Sequence, residues 1–160
     1  MIIRPATPSD APAMTALQNE IIAIGGTTAY QRPRSEDEVC EDYITAPEAI
    51  CCHVALEDDG SLIGFQAVGR WPGLPDGWAD IGTFVSPARQ RSGAGAALFA
   101  ATAQAAHAAS ITTLNATIRA DNAPGLGYYA RRGFRDYGSD PDWALDDGRV
   151  VGRIHRRFDL

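Results

Sequence analysis

The sequence lacks a basic excess. Lysine and arginine together number 14 against 20 aspartates and glutamates, a net charge of −6 over 160 residues. Neutralising a phosphate backbone needs a positive surface, so no nucleic-acid partner is expected. An acidic surface instead gives weak steering toward cationic amines. No apolar run approaches the roughly 20 residues of a membrane helix, so no membrane partner is expected. The start, Met1-Ile2-Ile3-Arg4-Pro5, lacks the basic and apolar segments of a signal peptide. Only three cysteines occur, Cys40, Cys51 and Cys52. The adjacent pair is badly placed for a disulfide, and no C-x-x-C spacing suggests a metal, so none is expected. We read the thiols as reduced and the protein as cytoplasmic. His53, His107 and His155 show neither metal nor triad spacing. Repeats and linkers are absent, and residues 1–160 suit a single domain with one core.

What is present is an alternation of short elements. A strand over Met1 to Arg4 precedes a helix over Ala11 to Ile24, capped by Ser9-Asp10, with Met14, Leu17, Ile21 and Ile24 at helical spacing. Gly25-Gly26 ends it. Ser35 and Glu38 form a capping box for a second helix reaching about Ala46, before Pro47. Strands follow over Ile50 to Glu57 and Leu62 to Arg70, joined by the turn Asp58-Asp59-Gly60. Trp71 to Gly77 is a loop, and Trp78 to Ser86 is a fourth strand. An alanine-rich helix spans Gly93 to Ala109. Then come a strand over Ile111 to Ile118, a short helix over Pro124 to Arg132 closed by Gly133, and a late strand over Arg149 to Phe158. The order β-α-α-β-β-β-α-β-α-β-β predicts an α+β (mixed α/β) fold whose mostly antiparallel sheet is interrupted by a crossover helix.

The most informative segment links the fourth strand to the alanine-rich helix: Gln90, Arg91, Ser92, Gly93, Ala94, Gly95 and Ala96. A helix start leaves backbone N–H groups without internal partners, and its dipole favours an anion. Gly93 and Gly95 carry no side chain to block a phosphate. Arg89 and Arg91 add positive charge. The alternative is a tight turn with basic surface residues, since short glycine motifs recur widely. A P-loop is excluded, because no lysine lies at the helix start. A Rossmann fingerprint is excluded too, because Leu98 stands where a third glycine or alanine is needed.

Gln90-Arg91-Ser92-Gly93-Ala94-Gly95 resembles the Gln/Arg-x-x-Gly-x-Gly/Ala signature of the GNAT superfamily of N-acetyltransferases. The stretch Asn122 to Phe134 resembles that family's second signature, with Tyr129, Gly133 and Phe134 in its Tyr-x-x-x-Gly-Phe places. The resemblance implies a twisted, mostly antiparallel sheet flanked by helices on both faces. It implies acetyl-CoA as co-substrate, its pyrophosphate on the N–H groups from Arg91 to Ala96. The pantetheine arm would pair with the backbone of Phe84 and Val85 like an added strand and bond Asn122. Tyr129 would sit near the CoA sulfur as proton donor. Structural alternatives stand beside both: Asn122 as a helix cap, and Tyr129 as an aromatic packing helix on sheet. Tyr128 is read as packing.

The segment Asn19 to Glu38 resembles the phosphinothricin/amino-acid acetyltransferase branch. That branch carries a carboxylate at the place of Asp80, on the face shared with Gly82 and Phe84. Asp80 is therefore the candidate base, with an exposed strand-end carboxylate as the alternative. The branch's histidine is replaced here by Tyr128. Glu20, Thr28, Tyr30 and Trp71 are candidates to line the acceptor pocket, each equally explained by capping or packing. The expected activity is acetylation of a small primary amine, an amino acid or analogue, in a ternary complex. Acetylation of a protein N-terminus or lysine, and a non-catalytic acyl-CoA sensor, are the alternatives. The branch resemblance also implies a homodimer.

Overall fold

The computed structural model describes all 160 residues. Its elements run β1 (Ile2–Pro5), α1 (Ala11–Ile24), α2 (Glu36–Cys40), β2 (Ala49–Leu56), β3 (Leu62–Gly69), β4 (Trp78–Val85), α3 (Ala94–Ala108), β5 (Thr113–Arg119), α4 (Ala123–Arg131), β6 (Arg135–Asp140) and β7 (Arg153–Asp159). That is the predicted order, with β6 at Arg135–Asp140 supplying the strand for which the sequence reading gave no bounds. The α1 bounds match, but the chain is capped one turn earlier. A 3-10 turn over Pro8–Asp10 precedes α1, and the Asp10 carboxylate folds back to accept from the Thr7 N–H at 2.8 Å and from Arg4. The Ser35–Glu38 box forms as read, and α2 continues as a π-type turn over Glu41–Thr45. The last strand begins at Arg153 rather than Arg149. Arg149 to Gly152 instead close a loop in which Ala144 bridges Val150.

The seven strands form one sheet, ordered β1-β2-β3-β4-β5-β7-β6, antiparallel except where β4 meets β5. Two faces bury two cores. On one, Met14, Leu17 and Ile21 of α1 and Val39 of α2 pack on Val54, Phe65 and Ala67. On the other, α3 and α4 cover Ile81, Leu114, Ala116 and Ile118 with Ala106 and Tyr129. At about 25 cal/mol per Å² of apolar surface, these two layers hold the sheet between them. No helix is long and apolar enough to cross a membrane.

The feature that shapes the site is the short parallel pairing. Only Trp78↔Thr113, Ala79↔Leu114 and Asp80↔Asn115 are in register; beyond Asp80 the two strands part. β3 and β4 stay paired as far as Gly64↔Val85. From Ile81 onward, β4 therefore has one satisfied edge and one open edge.

Candidate active site

Backbone alternation decides which β4 groups face the opening. The Ser86 N–H donates to Ile63 O at 2.8 Å, toward β3. In an antiparallel ladder every second residue shares that direction, so Phe84 and Gly82 also bond β3. Ile81, Thr83 and Val85 then point their peptide groups into the opening. The Ile81 carbonyl does so visibly, accepting from the Tyr129 hydroxyl at 3.4 Å. Of the two β4 residues expected to offer backbone to a ligand, Val85 faces the opening and Phe84 faces β3. The Phe84 ring instead stacks on Phe65 with centroids 4.8 Å apart.

A glycine missed from sequence permits this edge. Ile63 and Gly64 lie together at a bulge, where β2 passes from Ala55↔Gly64 to Leu56↔Leu62. A Cβ on Gly64 would stand 2.6 Å from the Phe84 carbonyl oxygen. Only glycine lets β4 pass so close.

The loop between β4 and α3 turns through two left-handed residues, Arg91 at φ 66° and Gly93 at φ 88°. Such alternation of hand turns successive N–H groups into one concavity, which suits an anion. The Ala96 N–H is taken by Gly93 O at 3.1 Å, the Ala94 N–H by Ser92 Oγ at 3.4 Å and the Ser92 N–H by Arg89 O at 3.3 Å. The N–H groups of Arg91, Gly93 and Gly95 have no partner within the chain. The free donors thus alternate, where the family resemblance implied an unbroken run to Ala96. Gln90 and Ser92 stand exposed beside them. Arg89 is paired with Glu57 at 3.1 Å, leaving Arg91 as the local cation.

Gly95 has a second reason to be glycine. A Cβ there would meet Tyr128 Cε2 at 2.8 Å. The Tyr128 hydroxyl donates to Gly95 O at 2.8 Å and accepts from Gln66 Nε2 at 3.1 Å. Tyr128 therefore ties α4 to the start of α3, the packing role read for it. Tyr129 lies beside it, buried, its hydroxyl 2.9 Å from Thr83 Oγ1. Burial pushes the Tyr129 phenol well above its ordinary range, so it stays protonated.

Asn122 caps α4, its Oδ1 accepting from the Gly125 N–H at 2.9 Å, while its Nδ2 donates to Thr27 O at 2.8 Å. Arg119 Nη1 donates to Thr28 O at 3.2 Å and holds Asp121. These two side chains pull the loop after α1 toward the end of β5. Tyr30 in the same loop stacks under the Arg34 guanidinium, 4.4 Å from its ring centre. Thr28 and Tyr30 are thus brought to one side of the opening. Glu20 is exposed on α1. Trp71 is 68% exposed and meets no aromatic or cationic partner. Trp78 is the tryptophan the fold places near Asp80, edge-on to Tyr137 at 5.4 Å and under Arg157 at 4.6 Å.

Asp80 stands on β4 at the last pair before the strands part. Burial raises its carboxyl to about 6, opposed by the Asn115 amide and the charge of His155. Asn115 Nδ2 donates to Asp80 Oδ1 at 2.6 Å and to Thr117 Oγ1 at 3.1 Å. Thr117 Oγ1 lies 3.0 Å from His155 Nδ1, and His155 Nε2 lies 2.9 Å from Asp140 Oδ2. His155 joins this polar cluster, although its sequence spacing showed no partner. His107 remains an exposed helix residue. Asp80 lies on the α1/α2 face and Tyr129 on the α3/α4 face, with the gap between β4 and β5 joining them. No group of three or more potential metal ligands gathers anywhere in the chain. Cys51 and Cys52 point to opposite faces of β2, and burial raises their thiols to about 11 and about 12. Neither is a poised nucleophile.

Comparison with known proteins identifies the family and the fold. Residues 16–134 match the acetyltransferase (GNAT) family model. YwnH of Bacillus subtilis (strain 168), provisionally named a phosphinothricin acetyltransferase, is 26% identical over 162 residues, covering 100% of this chain and 95% of that protein. The fold superimposes with a TM-score of 0.85 on a phosphinothricin acetyltransferase from Sinorhizobium meliloti crystallised with acetyl-CoA, 20% identical, covering 99% of this chain and 88% of that one. It also superimposes with a TM-score of 0.84 on a ribosomal-protein-alanine N-acetyltransferase from Brucella melitensis, 19% identical over the whole of both chains. With its family model matched across most of its length, the chain belongs to the acetyltransferase (GNAT) family.

Proposed function

We propose that this acetyltransferase moves an acetyl group from acetyl-CoA directly onto the primary amine of a small molecule, an amino acid or analogue, in a ternary complex. The observation that carries the reading is Asp80, a half-buried carboxyl at the point where β4 and β5 part, held by Asn115 at 2.6 Å. The free N–H groups of Arg91, Gly93 and Gly95 suit a pyrophosphate. The open edge of β4 at Thr83 and Val85 suits the amides of a pantetheine arm. Asn122 adds to that wall through the α4 cap. Acetyl-CoA would supply an activated thioester there.

The chain's own groups then divide the work. Asp80 takes a proton from the incoming ammonium, directly or through water. Its raised carboxyl narrows the gap to the amine and makes that transfer less uphill. The Val85 N–H offers a donor to the oxygen on which charge develops. The Tyr129 phenol donates toward the departing sulfur. Burial makes it a weaker acid than a thiol, so it stabilises the thiolate by hydrogen bonding rather than by complete proton loss. Positioning two substrates across one gap supplies most of the rate. Thr28 and Tyr30 line the acceptor side, with Glu20 at its margin. The same branch likeness supports a homodimer, readable by light scattering.

Coenzyme A release, followed with a thiol reagent across a panel of small amines, amino acids and N-terminal peptides, tests the assignment. We expect turnover with one or more small amines. Turnover confined to peptides would move the acceptor to a protein. Acetyl-CoA binding with no turnover on any amine would reduce the protein to a sensor.

A further inference from the structure

Asp80 depends on a residue that neither signature contains. β6 pairs with β7 through Asp136↔Arg156 and then Gly138↔His155, so Tyr137 is an extra residue set into β6 as a bulge. A bulge leaves one residue outside the ladder and re-aims its side chain. Here the Tyr137 hydroxyl reaches across β7 and donates to Asn115 Oδ1 at 2.5 Å. Its ring rests edge-on to Trp78 and 6.0 Å from the His155 ring.

Asn115 is only 3% exposed, so its amide must be satisfied within the chain. The Nδ2 group spends both protons, on Asp80 and on Thr117. Oδ1 is satisfied by Tyr137. Thr117 Oγ1 accepts from the amide and also meets His155 Nδ1 at 3.0 Å, while His155 Nε2 meets Asp140 Oδ2 at 2.9 Å. From Tyr137 through Asn115 to Asp80 and Thr117 the donors run in one sense. If the amide turned over, it would present an acceptor to Asp80, which a carboxylate resists and a protonated carboxyl welcomes.

We propose that Tyr137, aimed by the β6 bulge, is a positioning residue that fixes the Asn115 amide so that its N–H is delivered to Asp80. The proposal rests on Asp80 being the base. Without the Tyr137 hydroxyl, buried Oδ1 loses its donor. It regains one by turning toward Thr117 or toward a protonated Asp80, and the donor to the carboxylate is lost. The titratable groups that act on Asp80 are His155 on β7, Tyr137 on β6 and Tyr129 on α4. From α1, on the same face, Glu20 is turned to solvent. Tyr137→Phe removes the hydroxyl and none of the other groups.

The test is a 13C titration of the Asp80 carboxyl in the full-length protein without substrates, beside the pH profile of kcat/KM. In Tyr137→Phe we expect the Asp80 titration to move up by about one pH unit. The acidic limb of kcat/KM should follow it, lowering the rate about tenfold below the limb, with acetyl-CoA affinity unchanged. In an Asp80→Asn background Tyr137→Phe should add nothing. An unmoved Asp80 titration overturns the positioning role. Full turnover by Asp80→Asn alone overturns the base assignment. The titration needs no catalysis, so the two failures are told apart.

Discussion

The Tyr129 hydroxyl carries one proton and has two neighbours for it, Thr83 Oγ1 and Ile81 O. Thr83 can donate or accept, so it can release the phenol proton toward the opening without leaving a buried group unpaired. That freedom suits a donor that must turn to a thiolate at one moment only. Tyr129→Phe keeps the ring, its edge-on contacts with Tyr128 and Phe134, and the fold. We expect kcat to fall by about 10²-fold, with acetyl-CoA affinity by calorimetry changed less than about twofold. A wild-type kcat would leave Tyr129 as packing. Asn122 shows the opposite case. Its amide caps α4 and tethers the loop after α1, so its alanine variant would disturb both substrates' walls.

At the scale of elements, the start of α3 is shaped by a partner helix as well as by a ligand. The Tyr128 ring fills the space above Gly95 and its hydroxyl bonds the Gly95 carbonyl. Gly95→Ala should therefore cost about 1–3 kcal/mol of stability in denaturant unfolding, the usual cost of forcing an atom into packed space. In a Tyr128→Ala background most of that cost should vanish. An equal cost in both backgrounds would place the strain in the loop rather than at the ring. The same logic makes Gly64 a structural partner of Val85, since β4 rides over it.

The whole molecule tolerates a carboxyl in a place that disfavours its charge. The folded Asp80 titrates near 6 and its unfolded counterpart near 3.8. Between those values the folded chain holds a proton the unfolded chain has lost. Its contribution is thus intact below about 3.8 and is lost as pH rises through 6. The loss is on the order of 2–3 kcal/mol for a shift of this size. Asp80→Asn should be more stable than the wild type by up to that amount at pH 7 and no more stable near pH 4, by chemical denaturation at each pH. A stability gap independent of pH would contradict a raised carboxyl. Asp10 has the opposite sign: the Arg4 pairing holds it down to about 2, so its contribution is present above about 3.8 and fades as pH falls toward 2. Both variants of Asp80 share that term, and it cancels in the comparison.

Much of this architecture is written locally. Helix α1 follows from its apolar spacing and Gly25-Gly26, and α2 from the Ser35–Glu38 box. The β2–β3 hairpin follows from Asp58-Asp59-Gly60, and the turn into α3 from Gly93 and Gly95. Each depends on residues close in the chain, where propensity and capping act. The sequence alone therefore determined the order of elements, the family and the place of the glycine loop before α3. The tertiary structure decided the rest. It set where β4 leaves β5, which β4 peptides face the gap, and that Trp78 rather than Trp71 stands near Asp80. It also joined Asn115, Thr117, Tyr137 and His155 around that carboxyl. Those residues come from three strands, β5, β6 and β7, and one of them is aimed by a bulge that no short motif announces. Pairing register and bulges are settled by long-range contacts between strands, and periodicity within a segment cannot carry them.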